Sequence, residues 1–436
     1  MIRTDEDAVY RSLSKKIDNL TVRAPWNETF HSILKKLYTP EEAEVVVRMP
    51  YTLSTIDRIA RITGIEQTRL HGILDKLSDK GLLLDLYNEN DGRCYFMPSP
   101  LIIGLFEFTM MRTGNNHNKK ECAKLFQEYF TSIYPANFSH DEQVSILRVI
   151  PVEETIKPIE HIEFMNYEKA SSLIENAHRF AIGLCSCRNE KFHNGDKECD
   201  APLDNCSAIG IGADYLIRHN LGREVSKSEM LDNFARSKEL GLVFCAENTK
   251  RNPMVVCHCC KCCCNYLAGV NKFGFTNSAV TSNFISVIDE AKCTGCGKCV
   301  EVCPVNATSL VSANDPKKRK KKKANVDVHM CVGCGVCALK CPSDAIGMIN
   351  RGARVIHPET TFERIILLSL ERGNLQNQIF DNPQSMTQNY MRIFIGAFLR
   401  LTPVKRTLMS DLFRSAFLSS ARGIARIQGK GWMLDL

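Results

Sequence analysis

The amino-acid sequence predicts an α+β fold spread over several domains. At 436 residues the chain exceeds what one hydrophobic core usually supports, and its composition, 44% hydrophobic and 24% charged, is that of a folded protein. Both terminal regions show helical periodicity. Eighteen of the 21 cysteines form close groups between Cys185 and Cys341, whereas Cys94, Cys122 and Cys245 stand alone. The predicted segments are residues 1–110, 111–283, 284–350 and 351–436.

Residues 1–110 carry the pattern of a helix-turn-helix followed by a β-hairpin. Apolar residues repeat at helical spacing before and after Gly64, and the turn-rich stretch 88–92 separates two short apolar runs. This outline is typical of a winged-helix domain. Between residues 41 and 100, however, seven Lys or Arg stand against ten Asp or Glu, whereas a DNA-binding face is plainly basic. We therefore expect a structural or protein-contact role and no nucleic-acid binding, with a redox-sensing DNA regulator as the alternative.

Residues 111–283 are predicted to form a central α/β domain rich in cysteine. Helical segments alternate with apolar runs, and the run 180–184 leads directly into Cys185. Adjacent reduced cysteines without a ligand would oxidise or pair wrongly, so their density indicates metal binding. The candidate ligands are Cys185, Cys187, Cys199, Cys206, Cys257, Cys259, Cys260, Cys262, Cys263 and Cys264.

Ten cysteines are compatible with several metal centres. They suit one 4Fe-4S cluster with spare thiols, two clusters, or a non-cubane cluster that uses adjacent cysteines. We favour at least one iron–sulfur cluster held by Cys187, Cys199 and Cys206 with one cysteine of the later run. His258 is a further candidate ligand. Arg188 either hydrogen-bonds a cluster or bound anion, or lies free on the surface.

Two cysteine motifs of identical spacing lie in residues 284–350. Each has three cysteines separated by two residues, then a fourth after three more that precedes proline. Three such thiolates bind one cubane, and the fourth reaches the neighbouring cluster; zinc sites usually come as two separated pairs. The pattern resembles the two-cluster bacterial ferredoxins, which implies two 4Fe-4S clusters and electron transfer. One cluster is assigned to Cys293, Cys296, Cys299 and Cys341, and the other to Cys303, Cys331, Cys334 and Cys337.

The order of the motifs along the chain resembles a group of multi-cluster ferredoxin-like proteins from anaerobes. The pattern is C-x-C-R from Cys185, two later cysteines, the run from Cys257 to Cys264, and then the ferredoxin motifs. The stretches 37–44 and 373–383 are similar to the same group. The resemblance implies an iron–sulfur electron carrier or complex subunit, but it implies no substrate.

Basic residues are concentrated in two places. Residues 317–323 are seven consecutive Lys or Arg between the ferredoxin motifs, and residues 351–436 contain twelve basic and six acidic side chains. The run predicts a solvated loop, which we interpret as steering an acidic redox partner. The C-terminal segment predicts helices at 359–372, 386–402 and 406–428. We expect them to pack on the ferredoxin module, with docking to a partner or to anionic lipid as the alternative.

The sequence also restricts location and function. No stretch is apolar enough to span a membrane, and the first residues lack the apolar core of a secretory signal, so we expect a cytoplasmic protein of an anaerobic cell. The leading hypothesis is a relay of low-potential electrons through 4Fe-4S clusters to a partner oxidoreductase. A reductase with its catalytic site at Cys185–Cys264 is the main alternative. We find no dinucleotide fingerprint and no P-loop, so donor and acceptor are expected to be other proteins.

Overall fold

The computed structural model of the chain describes residues 6–112, 117–137, 144–157, 168–274, 281–314, 321–352 and 356–436. Its helices are α1 (Glu6–Asp18), α2 (Glu28–Leu37), α3 (Pro40–Arg48), α4 (Ile56–Thr63), α5 (Gln67–Asp79), α6 (Phe106–Met111), α7 (His117–Asn137), α8 (Ala170–Glu175), α9 (Ser186–Asn194), α10 (Ile211–Arg218), α11 (Lys227–Glu239), α12 (Asn265–Phe273), α13 (Lys298–Val302), α14 (Val336–Leu339), α15 (Thr361–Glu371), α16 (Leu375–Ile379), α17 (Met386–Leu399), α18 (Thr402–Met409) and α19 (Asp411–Ile427). Its strands are β1 (Ser54–Thr55), β2 (Leu83–Asn88), β3 (Arg93–Pro98), β4 (Leu147–Ile150), β5 (Phe180–Leu184), β6 (Asp204–Ile209), β7 (Gly222–Glu224), β8 (Val243–Glu247), β9 (Val255–Cys259), β10 (Phe284–Ile288), β11 (Thr308–Ser312), β12 (Lys322–Val326) and β13 (Ile346–Asn350). Helices and strands are mixed along the chain, which confirms the α+β class.

The chain divides into two compact units. The first contains Met1–Ile133, Tyr215–Gly222 and Glu359–Leu436, and the second contains Tyr134–Asp214 and Arg223–Pro358. The predicted N- and C-terminal segments therefore fall mainly in the first unit, and the cysteine-rich and ferredoxin segments fall mainly in the second. All eighteen clustered cysteines belong to the second unit.

In the first unit, two helices and a hairpin follow one another as the sequence predicts. Helix α4 ends at Thr63, its C-cap Gly64 has a left-handed φ of 71°, and α5 begins at Gln67. Strands β2 and β3 pair antiparallel, and β1 joins them in the order β1–β3–β2. Leu70, Leu74 and Leu77 of α5 are fully buried. The winged-helix assignment itself stays a prediction.

The C-terminal helices belong to the first unit, and their packing on the ferredoxin module stays a prediction. The carboxylate of Asp381, beyond the end of α16, accepts hydrogen bonds from Arg58 Nη2 at 2.6 Å, from Lys430 Nζ at 2.9 Å and from the Thr52 hydroxyl. The Asp381 carbonyl accepts a bond from the N–H of Tyr51 at 3.0 Å. One buried carboxylate thus needs cations from both ends of the chain, and this draws the C-terminal segment to the N-terminal one.

Helices α17 and α19 leave large apolar side chains exposed. Ile393 and Phe394 of α17 are 72% and 74% exposed, and Leu412 of α19 is 87% exposed. Within the described ranges, no helix is long and apolar enough to cross a membrane. Docking of these helices to a partner or to anionic lipid stays a prediction.

The second unit contains a six-stranded sheet with the strand order β4–β8–β9–β6–β5–β7. Because side chains alternate along a strand, the two faces of the sheet differ in composition. One face carries large residues, among them Phe180, Ile182, Phe244 and Val256, which form a core with Phe234 of α11. The opposite face carries small residues and cysteines.

The ferredoxin module belongs to the same unit as this sheet. It contains two antiparallel strand pairs, β10–β13 and β11–β12, and the short helices α13 and α14. A parallel bridge between Ile156 and Met348 joins the module to the chain beyond β4, and the N–H of Val152 donates to the carbonyl of Cys334 at 3.1 Å. Residues 317–320 of the predicted basic run lie outside the described residues.

Candidate metal centres

The first ferredoxin motif surrounds a cavity. Cys293, Cys296, Cys299 and Cys341 line it together, and its empty volume is about 290 Å³. Cys341 comes from the second motif, so the fold brings it across to the first as the sequence assignment requires. Four thiols around one open space form the arrangement that a cubane needs. We call these four cysteines the outer site.

Backbone amides point at the sulfurs of the module. The N–H of Ala307 donates to Cys303 Sγ at 3.2 Å, and the N–H of Ala345 donates to Cys341 Sγ at 3.4 Å. Burial alone raises the pKa of Cys341, but hydrogen bonds from Ala345 and Ser343 lower it overall. Such donors favour the thiolate, which is the form that binds metal.

Two glycines allow the cysteine loops to pass very close to neighbouring strands. Gly295 and Gly333 have φ angles of 73° and 71°, which are left-handed. A Cβ at Gly295 would overlap the carbonyl oxygen of Lys322, and one at Gly333 would overlap that of Phe284. Glycine is therefore required at both positions for conformation and for space.

The second motif gathers Cys331, Cys334 and Cys337 beside Cys303, and we call these four the inner site. Burial, and after it the charges of Cys331 and Cys303, raises the pKa of Cys337 to about 12 against a hydrogen bond from Ser286. Burial is also the main cause that raises the pKa of Cys334, with smaller contributions from the neighbouring cysteines, Cys303 among them. Cys303 of the first motif therefore lies close enough to Cys334 and Cys337 to affect their pKa values, as the predicted exchange between motifs requires, and the assignment of ligands to clusters stays a prediction.

The two sites differ in their access to solvent. Cys296 of the outer site is exposed, whereas all four cysteines of the inner site are buried. The segment from Val152 to Thr155 covers the inner loop, because a Cβ at Gly335 would lie 2.5 Å from the Thr155 hydroxyl and 3.3 Å from the Val152 nitrogen. The inner site therefore faces the rest of the second unit.

A further group of thiols lies on the small-residue face of the six-stranded sheet. Cys245 of β8 is directly opposite Cys257 of β9, and Cys259 follows on the same face. The register of β6 on β9 places Cys206 beside Cys257 on this face. Cβ atoms of such cross-strand neighbours are about 5 Å apart. We call Cys206, Cys245, Cys257 and Cys259 the thiol face.

Two helices begin beside the thiol face. Cys185 is the N-cap of α9, and Cys264 is the N-cap of α12. Hydrogen bonds with Cys187 and Cys259, and then with the N–H of Leu267, hold the pKa of Cys264 well below its ordinary value. Helix N-termini favour negative charge, so the position of Cys264 suits a thiolate ligand, whereas burial raises the pKa of Cys185 to about 12.

Four other thiols are packed against one another. The Sγ atoms of Cys199, Cys260, Cys262 and Cys263 all lie within 4.8 Å of each other. Cys262 Sγ is 3.3 Å from Cys263 Sγ and 3.9 Å from Cys260 Sγ. In the part of the chain that the structure describes, this is the one group of three or more His, Cys, Asp or Glu side chains found so close together. We call these four cysteines the tetrad.

Arg188 is fully buried, which excludes a free surface position. Its guanidinium donates to the carbonyl of Pro202 at 2.8 Å and to the carbonyl of His258. Burial alone lowers its pKa, but the charges of Cys185 and Cys260 raise that pKa above the ordinary value. One buried cation therefore offsets thiolate charge near the N-cap of α9 and in the tetrad.

Comparison with known protein families gives a match on the ferredoxin module. Residues 292–345 match the family described as the 4Fe-4S dicluster domain. The module binds two 4Fe-4S clusters. The match supports an iron–sulfur electron-transfer role, and the close packing of the tetrad supports metal binding in the central region as well. No curated protein and no solved structure matches the chain.

The central cysteines are grouped differently from the predicted set. Cys199 belongs to the tetrad, Cys206 lies on the thiol face, and Cys187 contacts the start of α12. The reason is that strand β9 ends between two consecutive cysteines. Cys259 is directed to the sheet face, whereas Cys260 lies in the turn that forms the tetrad. Spacing along the sequence does not reveal this division.

Cys245 is a candidate ligand that the sequence did not indicate, because it stands alone there. It is 1% exposed, lies opposite Cys257 and forms a side-chain hydrogen bond with Cys259. Its one sequence signal is its place in a short apolar run that is typical of a buried strand. Cys94 and Cys122, the other isolated cysteines, belong to the first unit.

His258 lies on the opposite face of the sheet from the thiols, which corrects its assignment as a candidate ligand. Its Nε2 atom is 2.8 Å from the Ser207 hydroxyl, and its ring stands edge-on to Phe234 and Phe244. Burial, with the nearby charge of Arg188, lowers its pKa to about 3. His258 is therefore a neutral histidine of the hydrophobic core.

Proposed function

We propose that this protein relays low-potential electrons through its 4Fe-4S clusters to a partner oxidoreductase. When bound, such clusters accept and donate single electrons. The observation that carries the proposal is the position of the inner site, whose loop is hydrogen-bonded to Val152, just beyond β4 of the central sheet. The second unit thus offers an exposed site, a covered site, and then the thiols of the central domain.

The outer site is the proposed docking end for a redox partner. Cys296 is exposed there, and Gly295 packs against the backbone of Lys322, which is itself exposed. Lys323 forms an ion pair with Glu290 at 2.6 Å. The cationic strand β12 therefore adjoins the exposed cluster loop, and this supports a partner with an acidic surface.

The thiol face, together with Cys187 and Cys264, is the proposed site of a further iron–sulfur cluster. Its thiols come from three strands and two helix starts, a spread that suits several irons better than one. The amides of the helix starts supply partial positive charge for an anionic centre. Buried Arg188, beside Cys185, adds a full positive charge.

An electron-uptake experiment tests the relay. The anaerobically purified protein is mixed with reduced methyl viologen and frozen at intervals for electron paramagnetic resonance. We expect the ferredoxin signals first and the central signal later. Cys334→Ser removes a ligand of the inner site and should slow formation of the central signal by at least about tenfold. Cys94→Ser, which removes a thiol of the first unit, is the matched control and should leave the sequence of signals unchanged.

Two results would contradict the proposal. Absence of any iron–sulfur signal in the protein would remove the electron-transfer role. If the signal of the central domain forms at the same rate in the wild type and in Cys334→Ser, electrons do not pass through the inner site. Where Cys334→Ser fails to fold, Lys322→Glu tests the docking end in its place: it should weaken the salt dependence of reduction by an acidic ferredoxin, whereas Lys124→Glu in the first unit should not.

The two alternatives from the sequence stay predictions, and the contacts favour neither. In the helix-turn-helix region Arg69 and Lys80 pair with Glu41 and Glu42, which reduces the positive charge available for DNA. A catalytic reductase needs an iron open to a small molecule, whereas Cys245, Cys259 and Cys264 are buried. The many free cysteines suit a reducing compartment, so we propose the cytoplasm as the location.

A further inference from the structure

The tetrad differs from the ferredoxin sites in the spacing of its sulfurs. A tetrahedral metal ion with metal–sulfur bonds of about 2.3 Å places its four sulfurs about 3.8 Å apart. The distances from Cys262 to Cys263 and Cys260, 3.3 Å and 3.9 Å, lie on either side of that value. A cubane separates its thiolates further, because each one binds a different iron. Among the described residues, the cysteines of the outer and inner sites form no group as close as the tetrad.

Two segments of chain present the tetrad. The turn between β9 and α12 supplies three cysteines, and Cys199 comes from residues 195–203 between α9 and β6, which have no helix or strand. Ala201 and Leu242 pack against the tetrad in a small core of their own. An ion bound there links the irregular segment to the end of the central sheet.

The surroundings of the tetrad suit a closed site with excess negative charge. Four thiolates around a divalent ion leave two negative charges, and Arg188 donates a hydrogen bond to Cys260 while Lys197 donates to the carbonyl of Cys199. Cys260 and Cys263 are buried. Four protein ligands leave no position for a substrate, which is the pattern of structural sites and not of catalytic ones.

We infer that the tetrad binds a single zinc ion, separate from the iron–sulfur clusters, that holds residues 195–203 against the central sheet. This inference goes beyond the proposed function, because zinc does not change its oxidation state and carries no electron. It also divides two consecutive cysteines between two metals: Cys259 belongs to the iron site of the thiol face and Cys260 to the zinc site.

Metal analysis of the anaerobically purified protein tests the inference with a matched pair of variants. The wild type should contain about one zinc per chain in addition to its iron. Cys262→Ser should lower the zinc content at least about tenfold and leave iron, sulfide and the ferredoxin resonance signals unchanged. Cys259→Ser, three residues away, should show the reverse: less iron and unchanged zinc. Cys199→His should retain zinc, since three cysteines and one histidine also form a structural zinc site.

The opposite pattern would overturn the zinc site. If Cys262→Ser loses iron and sulfide as Cys259→Ser does, the tetrad holds part of a cluster. Where Cys262→Ser does not fold, wild-type protein produced with Co²⁺ in place of Zn²⁺ decides the question: it should show the visible bands of tetrahedral thiolate cobalt, and their absence would contradict the inference. Zinc content does not depend on electron uptake. Metal analysis therefore tests the zinc site, and the time course of the resonance signals tests the relay, so either proposal can fail without the other.

Discussion

The ferredoxin module and the central domain collect their cysteines in opposite ways. In the module, three ligands of each site come from one short loop and a single cysteine is exchanged with the other motif. In the central domain, the thiol face is assembled from strands β6, β8 and β9 and completed by the starts of two helices. In a loop, the spacing of cysteines along the sequence is enough to specify the site. In a sheet, the site forms only when the register of strand pairing brings distant cysteines together.

Removal of iron and sulfide should destabilise the ferredoxin module much more than the central sheet, and this is the largest difference that we expect between the two regions. The core of the module includes ligands themselves, among them Cys293, Cys299 and Cys337, whereas the central sheet has an independent apolar core around Phe234 and Phe244. We expect amide exchange in 284–314 and 321–350 to accelerate at least about a hundredfold, since metal binding is folding free energy there. Exchange in α11 and β8 should change far less. Hydrogen–deuterium exchange mass spectrometry measures both, and equal acceleration would contradict the difference.

Replacement of isolated cysteines tests whether the sheet builds a site. Cys122 and Cys245 are both buried and both stand alone in the sequence. Because Cys245 lies opposite Cys257, Cys245→Ser should lower iron by up to about four atoms per chain and leave the ferredoxin signals in place. Cys122→Ser should leave iron unchanged. Iron analysis checks both, and equal iron in the two variants would exclude Cys245 from the site.

Two glycines with the same backbone conformation test how tightly the cysteine loops of the module are packed. Gly64 and Gly333 both have a φ of 71°, but a Cβ at Gly64 meets nothing within 4 Å, whereas one at Gly333 overlaps the Phe284 carbonyl and the Ser282 hydroxyl. Gly64→Ala should destabilise its unit by about 1 kcal/mol from backbone conformation alone. Gly333→Ala should destabilise the module by at least about 3 kcal/mol, because the overlap adds to the strain. Anaerobic urea unfolding measures the change, followed by cluster absorbance for Gly333→Ala and by tryptophan fluorescence for Gly64→Ala. Similar shifts of the unfolding midpoint in the two variants would show that the Gly333 loop moves to accommodate the added Cβ.

The smallest change in stability is expected in the first unit. There a buried carboxylate, and not a metal bound by thiolates, holds distant segments together. Burial alone raises the pKa of Asp381, but the hydrogen bond from Arg58 and the charges of Lys430 and Arg58 lower it to about 2, below its ordinary value of 3.8. A lowered pKa means that the charged form stabilises the folded state, so the contribution is complete above pH 3.8 and disappears as the pH falls through about 2. Asp381→Asn should therefore destabilise the unit by about 2 kcal/mol at neutral pH and by less in acid.

Tryptophan fluorescence measures this effect separately from the metal sites. Both tryptophans, Trp26 and Trp432, belong to the first unit, and the ring of Trp432 lies 4.1 Å from that of Tyr95. Urea unfolding of the wild type and of Asp381→Asn should converge as the pH is lowered from about 5 to about 2. A difference that is independent of pH would show that Asp381 acts by packing and not by charge.

Local sequence was sufficient wherever a structural feature is made by residues that are neighbours along the chain. The two ferredoxin motifs are of this kind, because three cysteines separated by two residues in one loop necessarily lie close together in the folded chain. The helix-turn-helix outline is another, since Gly64 ends α4 by its own left-handed conformation. The α+β class followed from the same local periodicities.

Only the tertiary structure decided which thiols of the central domain lie together. Cys259 and Cys260 are adjacent in the sequence but belong to different groups, while Cys245 joins Cys257 across two strands. In the first unit, Asp381 likewise meets Arg58 from the far end of the chain. The physical reason is that strand register and the burial of charge are settled by pairing between distant segments, and a shift of one residue in register would turn every thiol of a strand to the opposite face.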